Sequence, residues 1–170
     1  MQQRDLSINL RLKNLCEFFG IKICAEFDEK NHAEVLAEIF CEMYDADFTA
    51  DKKNQLAATY RVNRENILNQ LRENFSTVLE NYFVNEFFMR LYPCAFSGDE
   101  KFNCRVFVTV YRAIEFAAVL TAISRSQMTL EDFLELLCAL NDKLDHSKGG
   151  LTAIKKFAAS EKNFYLMIER

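Results

Sequence analysis

Residues 101–125 read KFNCRVFVTVYRAIEFAAVLTAISR, and this stretch decides the fold. Beyond Arg112, the apolar residues Ala113, Ile114, Phe116, Val119, Leu120 and Ile123 point in nearly every direction around a 3.6-residue helix. A helix on the surface of a domain keeps one polar side, so a helix with no wet face belongs in the centre of a bundle. Just upstream, Ser97-Gly-Asp-Glu100 has capping-box spacing, a hydroxyl three residues before an acid that can answer its free backbone N–H. The expectation is a central apolar helix at about 101–125.

Working outward, Thr129-Leu-Glu-Asp132 reads as a second cap. It leads a helix to about Leu144 with Phe133, Leu134, Leu137 and Leu140 inside. Gly149-Gly150 breaks the chain, and short helices follow at 151–158 and 161–169. In the other direction, Asn63 opens a long helix whose stripe is Ile67, Leu71, Phe75, Val78, Tyr82, Phe83 and Phe87. That helix should stop near Tyr92, because the residue before Pro93 is biased out of the α region. Thr49 is placed to cap a helix at 50–60. Another, at 31–44, buries Val35, Leu36, Ile39, Phe40 and Met43. A first helix runs from Leu6 to Phe19 and stops at Gly20, with an extended connection at 21–30. The fold class is therefore all-α: a single compact bundle of seven or eight helices around the central apolar helix. The domain organisation is one all-helical domain over 1–170, with an N-terminal portion 1–60, a core portion 61–158 and a short C-terminal helix in 159–170.

Composition supports this reading. The 170 residues are half apolar, with 16 Phe and 6 Tyr, while four Gly and one Pro are too few turn residues for an all-β fold. A net charge of −4 speaks against nucleic acid as a partner, since binders of phosphate backbones carry a basic excess. The polar N-terminus lacks the apolar core of a secretory signal. The uncharged run Phe116 to Ser124 falls short of the roughly 20 residues that a bilayer requires, so no membrane is expected and a cytoplasmic location is. Cys16, Cys24, Cys41, Cys94, Cys104 and Cys138 form no C-x-x-C, and no His stands at zinc-ligand spacing. They read as reduced thiols without a metal. Cys94 and Cys104 flank the loop holding Gly98, just after Pro93, which leaves a redox pairing open. No G-x-G-x-x-G is present, so no Rossmann-type cofactor pocket is expected.

The segment from Leu79 to Lys156 carries a resemblance. Leu79-Glu80-Asn81-Tyr82, with Asn85 and then Leu91-Tyr92-Pro93, is similar to a segment of the flagellin lysine-N-methylases, the FliB family. The step Tyr111-Arg112-Ala113 in an apolar helix, the acidic capped helix at Thr129-Leu-Glu-Asp-Phe133 and the element Asp145-His146-Ser147 follow in the same order. Residues 1–60 are similar only in their helical, Leu-rich character. The resemblance implies the C-terminal region of a protein-lysine N-methyltransferase, a bacterial enzyme that methylates surface lysines of flagellin. Its methyl donor would be S-adenosylmethionine. Members of the family carry a cysteine-rich N-terminal half thought to hold an iron–sulfur cluster, whereas the cysteines here are not clustered as such a cluster requires. The partners implied are that N-terminal half and flagellin. The chain is then an excised piece or a truncated relative.

Several residues read two ways. Methylation needs a neutral lysine amine, while a free lysine titrates at about 10.4, so a base must help. His146 with Asp145 fits that part. It also fits a helix C-terminus, where a histidine answers free carbonyls. Glu80, Asn81, Tyr82 and Asn85 share one region of a helix and suit a substrate or interdomain groove, or hydrogen bonds that tie helices together. Arg112 has Glu115 one turn on, which suits an ion pair inside the core or a carboxylate site facing the missing half. Glu34, Glu38 and Glu42 form an acidic stripe that either steers a lysine-bearing protein or is simply solvated. The aromatics Tyr82, Phe83, Phe87, Phe88 and Tyr92 cover more than one face, leaving a surface for docking or self-association. The chain holds no complete catalytic site, so a role in scaffolding or substrate recognition is expected, inactive without the N-terminal half. The alternative is a stand-alone helical interaction module with no enzymatic role.

Overall fold

A computed structural model describes residues 29–44, 48–89, 99–125, 127–146 and 149–160. Among them are five helices and no strand: α1 (Glu29–Met43), α2 (Ala50–Met89), α3 (Glu100–Arg125), α4 (Leu130–His146) and α5 (Gly150–Ala159). The expected helices at 6–19 and 161–169 lie outside the described residues, as do Ser97, Tyr92 and Pro93. The all-α class holds, but the expected seven or eight helices do not match the five found.

One cause lies within the described residues. The two helices expected at 50–60 and from 63 onward are a single helix, α2. Asn63, read as a helix start, sits mid-helix and donates its side-chain amide to the Thr59 carbonyl at 2.9 Å. No Gly or Pro interrupts residues 50–89. The buried stripe Ala57, Tyr60, Arg64, Leu68, Leu71, Phe75 and Leu79 also runs straight through the supposed gap. Asn has a weak helix propensity, but continuous burial at helical spacing overrides it.

The caps show why the other helices start where they do. The Lys52 backbone N–H donates to Thr49 Oγ1 at 3.3 Å, as expected at the start of α2. For α3 the capping side chain is Asp99, which accepts from the Phe102 N–H at 3.1 Å. The capping box read from Ser97 lies partly outside the described residues, since Ser97 is not among them. At α4 the box is complete. Asp132 N–H donates to Thr129 Oγ1 at 3.2 Å, and Thr129 N–H returns a bond to Asp132 Oδ2 at 2.9 Å. Arg125 at the end of α3 pairs with Asp132 and also reaches Glu135 at 3.4 Å, fixing the turn between α3 and α4.

α3 is the centre. Every residue from Val106 to Val119 is buried, and α1, α2, α4 and α5 all pack against it. Phe116 meets Phe40 of α1 and Tyr60 of α2, with ring centroids 5.7 and 4.8 Å apart. Phe83 of α2 meets Phe107 and Tyr111 at 5.4 and 4.8 Å. α4 joins α2 through Phe75 stacked on Phe133 at 5.1 Å. It buries Phe133, Leu137, Leu140 and Leu144, whose 4-3-4 spacing fills its inner face. Leu134 is consequently turned outward and is 44% exposed, against the expectation that it lies inside. By length and composition α3 is apolar enough to cross a bilayer, with a window of mean hydropathy 1.8. The expectation based on uncharged runs missed this because the average tolerates Arg112 and Glu115. In the fold, 78% of that window is covered by the rest of the chain.

Candidate functional site

The strongest concentration of polar chemistry in the interior is built on one and a half turns of α3. Arg112 and Glu115 are 1% and 3% exposed, and their side chains meet at 2.5 Å. They lie three residues apart, so the helix itself presents them to each other. Tyr111 donates its hydroxyl to the other carboxylate oxygen of Glu115 at 2.8 Å. From α2, Arg72 Nη2 stands 3.8 Å from that same oxygen. One carboxylate thus collects three cationic or hydroxyl partners from two helices. Burial pushes the Tyr111 phenol well above its ordinary range, and the adjacent Glu115 carboxylate adds to the shift, with the guanidiniums of Arg112 and Arg72 opposing it. Tyr111 therefore stays protonated and acts as a hydrogen-bond donor.

Beside this cluster lies a cavity of about 20 Å³, lined mostly by Leu68, Leu71, Leu79, Ile114 and Phe133, with Arg72, Tyr111 and Glu115 at its edge. That is room for about one water molecule. Neither a lysine side chain nor S-adenosylmethionine fits it. The arrangement ties α2 to α3. The ion pair expected between Arg112 and Glu115 is present, and it occupies Arg112 inside the fold. Arg72 escaped the sequence reading because its partner lies 43 positions away, beyond the reach of helical spacing.

The other expected positions lie on the surface and are not gathered into one site. His146 and Asp145 are both exposed at the C-terminal end of α4. Glu80, Asn81 and Asn85 are exposed on the second half of α2. Tyr82 is half-buried and donates its hydroxyl to Asn141 Oδ1 of α4 at 2.6 Å, a bond that links helices. In the acidic stripe of α1, Glu38 faces solvent while Glu42 accepts from Lys156 Nζ of α5 at 2.6 Å. That hydrogen bond and the Glu42 charge raise the Lys156 ammonium above its usual range. Of the aromatics on α2, Phe88 is 71% exposed and Tyr82, Phe83 and Phe87 pack against the core. Tyr92 lies outside the described residues.

The cysteines offer no cluster site among the described residues. Cys41 and Cys104 are buried free thiols on α1 and α3, and Cys138 is an exposed one on α4. No three potential metal ligands come together among the described residues, so these do not fit an iron–sulfur cluster. Burial pushes the Cys41 thiol up, with nearby Lys53 opposing and Glu38 adding to the rise, which favours its protonated form. Cys94, needed for a pairing with Cys104, lies outside the described residues.

What these elements define is an all-helical domain organised by an apolar central helix and an internal ion cluster. Its sequence matches the FliB lysine N-methylase C-terminal domain over residues 1–167, and the chain belongs to that family. The match reaches well beyond Leu79 to Lys156 and takes in residues 1–60. Comparison with curated proteins and with solved structures finds no match.

Proposed function

We propose that this chain is the C-terminal helical part of a lysine N-methyltransferase acting on flagellin. In this reading it supports the catalytic half or presents the substrate, and the methyl transfer itself takes place in a cysteine-rich N-terminal half. The observation that carries the reading is the family match across residues 1–167. S-adenosylmethionine supplies the methyl group to the enzyme as a whole, and an iron–sulfur cluster belongs with the N-terminal half. The interior of this chain supports the division of labour. Its buried carboxylate is engaged by Tyr111, Arg112 and Arg72, and the space beside it is too small for an amine-bearing side chain. The solvent-facing candidates, Glu80, Asn81 and Asn85 on α2 and Asp145 with His146 on α4, are the groups in position to meet another protein. The protein belongs in the bacterial cytoplasm, where flagellin lysines are accessible before export.

The test is reconstitution. Flagellin and S-adenosylmethionine are incubated with the N-terminal half, with this chain, and with both, and methyl-lysine is counted. Turnover only when both are present is expected. Methylation by this chain alone, or full activity of the N-terminal half alone, overturns the reading. Asn81→Ala is expected to raise KM for flagellin and His146→Ala to lower turnover at neutral pH. Unchanged kinetics in both would make these positions structural.

A further inference from the structure

We draw no further inference here: the strongest candidate, the exposed apolar patch of Val84, Phe88 and Met89 at the C-terminal end of α2, carries nothing because nothing in the structure shows what covers it.

Discussion

The two longest helices place their charges in opposite ways. α3 draws Arg112 and Glu115 into the core and closes them on each other, on Tyr111 and on Arg72. α2 sends Arg72 to that cluster and buries Arg64, and it exposes most of its amides. The first arrangement fixes how two helices meet. The second leaves Asn66, Gln70, Asn74, Thr77, Asn81 and Asn85 in one exposed row. The difference teaches that in this domain buried charge serves architecture.

The largest expected effect breaks the first arrangement. Glu115→Ala removes a carboxylate partner from Arg112 inside the core and should cost about 3–5 kcal/mol, read as a lowered denaturant midpoint. Replacing Arg112 by Met and Glu115 by Leu together should cost less than Glu115→Ala alone, because the uncompensated buried charge goes with the pair. Equal losses would show that the cluster does more than hold helices. Tyr82→Phe is smaller. It removes the hydrogen bond to Asn141 and should cost about 1 kcal/mol while leaving the ring packed against Phe83.

Thr129→Ala, which opens the cap of α4, should also cost about 1 kcal/mol. Its partner adds a pH signature. The Thr129 backbone N–H, its hydroxyl and then Arg125 hold the Asp132 carboxyl below its usual range. A carboxyl depressed in the folded state stabilises fully above its unfolded pKa of about 3.9, and the benefit disappears as pH falls through the folded value. The Tm gap between the unsubstituted chain and Asp132→Asn should therefore be constant near neutral pH and close below about pH 4. The smallest expected effect on stability sharpens the comparison from the other side. Asn81→Ala should change the unfolding free energy by no more than about 0.5 kcal/mol.

Much of the fold could be read from the chain because the signals involved are local. A helix apolar on all sides must be central, and Thr129 with Asp132 cap a helix through bonds within four residues. The Arg112–Glu115 pair is legible for the same reason. The unbroken α2 was not, since Asn63 looks like a start until the burial of Tyr60 and Arg64 on either side is known. The cap bond of Asp99 is a choice among neighbouring polar residues that only backbone geometry makes. Arg72 and Asn141 join the cluster and the Tyr82 bond across long sequence separations, where periodicity is silent. The outer face of α2 was only half visible: Asn81 and Asn85 stood out near a recognisable motif, whereas the row from Asn66 to Thr77 needed burial to separate it from the core stripe.

Kinetics of the reconstituted enzyme test the division between interior and surface most directly. With the N-terminal half held constant, KM for flagellin is measured for the chain carrying Asn81→Ala, alongside its Tm. A raised KM with turnover at saturation and Tm unchanged is the predicted result. An unchanged KM, or a KM that rises only because the domain has lost its fold, would contradict the proposed part of Asn81 in meeting the substrate.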